Sequence, residues 1–307
     1  MPLFEDRSNL VIAIIGVVTI LGLATLGYGL LDWFSPSRNL PKIGSRIRFL
    51  WILTAIFLLA IGYGPGYMIL YLAFLSFLAL KEYLSITPTR RADRRVLFWA
   101  YLAVPLQFFW VWQGWYEAFV SFIPLYIFFF LPLLMVSVGE TQGFLRASST
   151  LSWGLVITVF SLAHLAYLLT LPAGGAGLFL FLLILTQMGD VAQFLFGKLF
   201  RYQRLRLKVT QSRNWASLFG GMAVTVLLSW LAAPLLTPFS PAEAVAVGII
   251  IALASFIGYV AMSAIKSDLQ LKDRGSMTPG RGGILNRVDT LIYSAPVFLH
   301  LVLYLQD

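Results

Sequence analysis

The densest group of side chains that could do chemistry lies near the C-terminal end of the chain, in the polar segment 263–289. Carboxylates are ligands for divalent cations, whereas ammonium and guanidinium groups bind phosphate oxygens. Glycines such as Gly282 and Gly283 let a backbone approach a phosphate closely. The charged residues are Lys266, Asp268, Lys272, Asp273, Arg274, Arg281, Arg287 and Asp289. A solvated loop would have no need of these acids and glycines, so the composition favours a phosphate and metal site.

The spacing within the polar segment resembles the C-terminal signature of the phosphatidate cytidylyltransferases, also called CDP-diacylglycerol synthases. That signature reads S-x-x-K-R-x4-K-D-x-G-x4-G-H-G-G-x-x-D-R-x-D. The positions that match it without a gap are Ser263, Lys266, Lys272, Asp273, Gly275, Gly280, Gly282, Gly283, Arg287 and Asp289. The positions that depart from it are Ser267, Thr278, Arg281 and Asn286.

Asp190 stands well inside an apolar run, where a charge costs about 2.5–3.5 kcal/mol on insertion scales. From the residues alone, an ion pair within a helix bundle explains this acid as well as a metal site does. The family resembled here has an Asp at this place followed by Gly-Lys or Gly-Arg, so the resemblance implies a functional role. Residues that helical spacing puts on the side of Asp190 are Thr186, Gln193, Phe194 and Gly197, with Lys198 two turns on.

Three positions lack acids that the main branch of the resembled family has, namely Tyr259, Ala216 and Asn286. Arg213 stands where a second family motif has a lysine, and it keeps the charge of that residue. Asp268 is an extra acid that the resemblance to a divergent bacterial branch offers as a substitute. These departures leave a second hypothesis open, a catalytically impaired or repurposed membrane protein on the same fold.

The composition is that of an integral membrane protein. The chain has 307 residues, of which 59% are hydrophobic and 11% charged, whereas an ordinary soluble domain has about 25% charged residues. The absence of cysteine excludes disulfides, thiolate metal sites and cysteine nucleophiles. His164 and His300 lie within apolar runs, and we interpret them as buried packing residues rather than ligands.

Apolar runs of about twenty residues have the length that a membrane helix needs. They predict an all-α polytopic membrane protein with about ten transmembrane helices and no sizeable soluble domain. We divide it into N-terminal packing helices, 1–140, and a C-terminal catalytic region, 141–307, with cytoplasmic loops 198–214 and 265–288. The predicted spans are 10–34, 47–63, 65–83, 95–113, 116–138, 150–171, 174–199, 215–236, 242–264 and 289–306.

The basic residues predict the orientation. Apart from Arg7, all the Lys and Arg residues fall in or beside odd-numbered connections, which the positive-inside rule places in the cytoplasm of a bacterial inner membrane. This explains the net charge of +9 without nucleic-acid binding, for which no module is present. Four glycines in the first run offer a homodimer seam as one option.

The resemblance implies an enzyme that joins CTP and phosphatidate with the help of Mg²⁺, the lipid tails entering between the seventh, ninth and tenth runs. A lipid transporter is disfavoured because the outer halves of the runs lack charge. The implied catalytic residues are Lys266, Lys272, Asp273 and Asp289. The implied substrate-binding residues are Arg213, Ser263, Arg281, Gly282, Gly283 and Arg287. The implied metal ligands are Asp190, Asp268, Asn286 and Asp289.

Overall fold

The structure, a computed structural model, describes residues 7–34, 41–88, 90, 93–172, 174–200, 214–268 and 283–306, and the regular elements of these residues are helices. In chain order they are α1 Arg7–Phe34, α2 Pro41–Tyr63, α3 Gly66–Ile86, α4 Arg94–Gln113, α5 Tyr116–Ser121, α6 Phe128–Ser137, α7 Phe144–Leu155, α8 Ser161–Tyr167, α9 Gly175–Leu199, α10 Trp215–Leu236, α11 Pro241–Asp268, α12 Leu285–Val288 and α13 Leu291–Gln306.

The helix pattern confirms the prediction of an all-α polytopic membrane protein. Within the described ranges, 8 helical segments are long and apolar enough to cross a membrane, and Ile47–Tyr63 and Leu291–Gln306 are shorter apolar helices. Two of the long segments are each continuous although their helical type changes, Tyr116–Ser137 through α5 and α6 and Phe144–Thr170 through α7 and α8. The boundaries differ most at α2 and α7, which begin at Pro41 and Phe144 rather than at residues 47 and 150.

Both long segments contain a π-helical stretch near their middle. The first stretch, Phe122–Ile127, contains Pro124, which has no amide hydrogen to donate and therefore disturbs the regular ladder. The second, Val156–Phe160, contains Thr158, whose carbonyl accepts a hydrogen bond of 3.0 Å from the Ser76 hydroxyl of α3. The segment Phe144–Thr170 is the most buried of the long segments, whereas α1 is the most exposed.

Helices α9, α10 and α11 pack side by side as successive antiparallel helices. The start of α10 meets the end of α9, where Asn214 Nδ2 donates to the Phe200 carbonyl over 3.1 Å. Farther along, Ser229 Oγ of α10 donates to the Ala244 carbonyl of α11 over 2.5 Å. Because the chain reverses twice, the C-terminal ends of α9 and α11 lie at the same end of the bundle.

Two of the basic connections are joined at one end of the bundle. The guanidinium of Arg90, before α4, donates to Asp93 over 2.7 and 2.9 Å. It also donates to the carbonyls of Glu140 and Gln142, before α7, over 3.0 and 2.8 Å. The hydrogen bonds that Arg90 donates to Asp93 raise the pKa of Arg90 above its usual value. The third and fifth connections therefore share one end, as the alternation of basic residues requires.

Candidate functional site

The end of α3 reaches the polar segment 263–289 through Glu82. One carboxylate oxygen of Glu82 accepts a hydrogen bond of 3.2 Å from the Leu285 amide at the start of α12. A Cβ added to Gly283 would lie 1.6 Å from the other carboxylate oxygen. Glycine at this position therefore allows an oxyanion to reach the backbone. The oxyanion found there is a carboxylate of the chain itself, and phosphate binding by Gly283 stays a prediction.

The end of α11 is joined to α12 by a contact between two predicted site residues. Lys266 Nζ donates a hydrogen bond to the side-chain oxygen of Asn286. An aspartate at this place, as in the family signature, would neutralise the ammonium, whereas the neutral amide leaves its positive charge uncompensated at this contact. The departure at residue 286 therefore makes this corner of the site more positive, which favours an anionic ligand.

Asp289 lies at the close crossing of α11 and α13. Its side chain is buried, and its Oδ1 accepts a hydrogen bond of 2.9 Å from the Thr290 amide. The carbonyl oxygen of Asp289 lies 2.6 Å from where a Cβ at Gly258 would stand. Because Gly258 has no side chain, α11 approaches the backbone of Asp289 directly. Ser263 is also buried, on α11 between this crossing and Lys266.

Asp190 is buried near the C-terminal end of α9, which packs on α10. The neighbouring Gln193 is fully buried, and neither of its amide atoms has a hydrogen-bond partner within the described residues. A Cβ at Gly221 of α10 would lie 2.1 Å from Gln193 Cγ. Gly221 thus lets α10 pack closely against the buried polar face of α9.

Phe194 lies on the side of Asp190, as helical spacing predicts, but its side chain is 52% exposed. Phe194 lies about 40° around the helix from Asp190, and Gln193 lies about 60° in the opposite direction. Helix α10 covers the side of Gln193, so the buried face ends between Asp190 and Phe194.

Arg287 of α12 reaches the second helix. Its guanidinium carbon lies 5.1 Å from the centre of the Phe49 ring, which is within the range of a cation–π contact. The aromatic contact helps to hold the guanidinium in place. Phosphate binding by Arg287 stays a prediction.

Several predicted site residues lie outside the described residues, namely Arg213, Lys272, Asp273, Arg281 and Gly282. Asp268 is exposed at the last residue of α11. Among the described residues no group of three or more acidic, histidine or cysteine side chains is arranged to hold a metal ion. Mg²⁺, however, is commonly held by one or two carboxylates together with substrate phosphates. The buried Asp289 fits that smaller requirement, and magnesium binding stays a prediction.

The two histidines lie against each other, away from the polar segment. Their ring centres are 5.4 Å apart, and each Nδ1 lies within 2.8 Å of a carbonyl oxygen one turn earlier in its own helix. His164 is fully buried, as predicted, but the prediction of burial is wrong for His300, which is exposed. His300 is the tenth residue of α13, so its ring lies about 15 Å along the axis from the helix start near Asp289.

Sequence reasoning missed two residues of this end of the bundle. One is Glu82, because nothing in the sequence relates it to a segment 203 residues away. Gln193 was placed on the face of Asp190 but was given no role. An uncharged amide inside an apolar run is a signal that would have identified it, because a buried polar group without a partner is costly.

The chain was compared with known protein families and proteins. The cytidylyltransferase family matches residues 44–305. YnbB of Escherichia coli (strain K12), an uncharacterized protein, is 40% identical over 287 residues, 92% of this chain and 94% of that protein. The phosphatidate cytidylyltransferase of Mycobacterium leprae (strain TN) is 29% identical over 51% of this chain and 50% of its own length. That of Pseudomonas aeruginosa (strain PAO1) is 27% identical over 54% and 60%. The chain thus spans about half the length of these two enzymes.

Proposed function

Because the chain belongs to the cytidylyltransferase family, we propose that it is a phosphatidate cytidylyltransferase acting in phospholipid synthesis. Family membership implies a nucleotide substrate and a lipid substrate in general, and we take these to be CTP and phosphatidate. One observation links the proposed activity to particular residues. The end of α11 and the start of α12 and α13, which hold the matched signature, are joined through Lys266, Asn286 and Asp289.

The proposed reaction is a displacement at phosphorus. A phosphate oxygen of phosphatidate attacks the α-phosphorus of CTP and forms a new P–O bond. The bond from that phosphorus to the oxygen that bridges the α- and β-phosphates breaks, and pyrophosphate leaves with the electron pair. The products are CDP-diacylglycerol and pyrophosphate. Such a reaction requires in-line positioning and stabilisation of charge on the leaving group, and no covalent intermediate with the protein.

The described residues supply parts suited to these tasks. Lys266 and Arg287 are the cations that we assign to phosphate oxygens, and Asn286 orients the ammonium of Lys266. The buried Asp289 is the carboxylate that we assign to Mg²⁺, which would neutralise charge on the triphosphate when bound. Asp190 and Gln193 place buried polar groups at the same end of the bundle. Residues proposed for the same tasks outside the described ranges are Arg213, Lys272, Asp273, Arg281 and Gly282.

The location of the site supports the choice of substrates. Polar ends of α3, α9 and α11 gather where the basic connections lie, and the positive-inside rule assigns that end to the cytoplasm, where CTP is found. Phosphatidate would present its headgroup at the same surface of the membrane. We therefore propose that the site faces the cytoplasm from a bacterial inner membrane.

The experiment is an assay of the purified full-length protein with CTP labelled at the α-phosphate, phosphatidate and Mg²⁺. Labelled CDP-diacylglycerol and an equal amount of pyrophosphate are expected. Asp289→Ala should abolish the product, whereas Glu140→Ala, which removes an exposed acid from another connection, should leave it unchanged. Labelled lipid that appears without pyrophosphate, or full activity of Asp289→Ala, would contradict the proposal.

The same assay separates the enzyme from its rival, a catalytically impaired protein on this fold. The rival has a specific basis, since Tyr259, Ala216 and Asn286 replace acids of the main family branch. It predicts no product under any condition, with or without CTP binding. Restoring one acid with Asn286→Asp distinguishes the two, because an enzyme tolerates or gains from the change, whereas a repurposed protein stays inactive.

A further inference from the structure

An apolar groove lies between α1, α2 and α9. Its cavity volume is about 110 Å³, below the range of about 300–1,000 Å³ that is typical of sites that enclose a whole ligand, so it has room for part of one. Helix α1 is the most exposed of the long segments, and Ile20, which lines the groove, is 51% exposed, so the groove opens towards the surrounding membrane. The residues that line it include Val17, Ile20, Leu50, Thr54, Ile184 and Gln187.

One end of the groove reaches the candidate site. Its wall on α2 includes Leu50, and the next residue, Phe49, has the ring that lies 5.1 Å from the Arg287 guanidinium. Its wall on α9 ends at Met188, two residues before the buried Asp190. Along α9 the wall extends from Leu180 to Met188, about 12 Å at the rise of an α-helix. The groove is therefore apolar along its length, and one end of it lies near the Arg287 guanidinium.

We propose that this groove holds one acyl chain of the phosphatidate whose phosphate binds beside Arg287. The inference rests on the proposed function and adds the place where the lipid substrate is held. Charge complementarity selects this occupant, because the cation at the end of the groove suits a lipid phosphate.

The groove selects the shape of the bound acyl chain but adds little to the affinity for the lipid. Lipid tails are as apolar as the lining residues, so a tail gains little by leaving the bilayer for the groove. Binding energy comes from the headgroup, and the groove fixes the direction in which the tail leaves it. The predicted lateral entry between the seventh, ninth and tenth runs shares only α9 with this groove, which uses α1 and α2 in place of α11 and α13.

The test compares two isoleucines of α1. Ile20 lines the groove and is 51% exposed, whereas Ile15 is 59% exposed and does not line it. Replacing each by tryptophan adds the same bulk, but Ile20→Trp fills the groove and Ile15→Trp extends into the membrane. The full-length protein in lipid nanodiscs is irradiated with a phosphatidate that carries a photoreactive diazirine in its acyl chain, without CTP. Adducts are then mapped by mass spectrometry.

We expect adducts on groove residues of α1, α2 and α9, reduced by unlabelled phosphatidate but not by phosphatidylcholine. Ile20→Trp should reduce their yield by about tenfold, the scale of effects when a hydrophobic pocket loses its fit, and Ile15→Trp should not change it. Adducts spread evenly over α1, located between α9, α11 and α13, or replaced by links between two copies would overturn the inference. So would equal yields from the two variants.

This readout is independent of catalysis. If the parent protein makes no CDP-diacylglycerol but retains groove adducts that phosphatidate competes away, the proposed function fails and the lipid site stands. If turnover is normal but the adducts are absent from the groove, the function stands and the inference fails.

Discussion

Replacing Gly258 by alanine should reduce turnover because it separates α11 from Asp289. The added Cβ would stand 2.6 Å from the Asp289 carbonyl oxygen, and the obstacle is backbone, which no side-chain rotation can remove. To reach an ordinary contact distance of 3.4 Å, the two helices must separate locally by about 0.8 Å. A displacement of this size in a reacting group can reduce rate by about 10²-fold.

The expected effect of Gly258→Ala on stability is smaller than its effect on turnover. Overpacking a well-packed contact costs about 1–3 kcal/mol, so the protein should still fold, with a lower Tm. The assay is kcat per folded molecule, with the folded fraction measured by size-exclusion chromatography in detergent. We expect kcat to fall by about 10- to 100-fold.

Gly248→Ala is the matched control for this prediction. It lies on the same helix, about 15 Å away, and its added Cβ would stand 2.9 Å from the Val226 Cα and the Ser229 Cβ of α10. It should therefore lower Tm by a similar amount while kcat per folded molecule stays near the parent value. Full activity of Gly258→Ala, or an equal loss in Gly248→Ala, would refute the reasoning.

Three further variants test other contacts of the site. Glu82→Ala should lower the free energy of unfolding by about 1–3 kcal/mol because the Leu285 amide loses its acceptor. Glu82→Gln keeps an acceptor and should lower the free energy of unfolding less. Equal losses of stability in thermal unfolding would show that Glu82 does not stabilise the protein through this hydrogen bond. Lys266→Ala should raise KM for CTP about tenfold or more, and Lys266→Arg should restore part of that affinity; an unchanged KM would remove Lys266 from the phosphate site. Gln193→Met removes two buried amide atoms without partners in the described structure and should raise Tm. If that amide binds substrate, kcat/KM should fall at the same time, and a rise in both would assign Gln193 no part in the reaction.

The sequence predicted the spans well because length and apolarity are what a membrane requires of a helix. It predicted the boundaries less well where polar residues continue a helix beyond the apolar run. Helix α2 begins at Pro41 and includes the basic positions 42 and 46, which the predicted span 47–63 left in the connection. Long basic side chains can extend to the membrane surface while their backbone stays helical.

At the site, the fixed spacing of the polar segment predicted Lys266, Asn286 and Asp289 as site residues, and they lie at the same end of the bundle. What spacing could not give is the partner across the bundle. Glu82 meets Leu285 only through the packing of α3 on α12, and no local pattern encodes that meeting. The exposure of Phe194 has the same origin, since the edge of a buried face depends on which neighbour covers it.

The contact between Glu82 and Leu285 also concerns how the protein is made. The two residues are 203 positions apart. Glu82 of α3 therefore cannot form this contact until residue 285 has been synthesised. Contacts of such long sequence separation form late, because the intervening chain must be ordered first. The anchor of α12 is therefore among the last parts to form during biogenesis, and a ribosome-stalled fragment that ends before residue 285 lacks it.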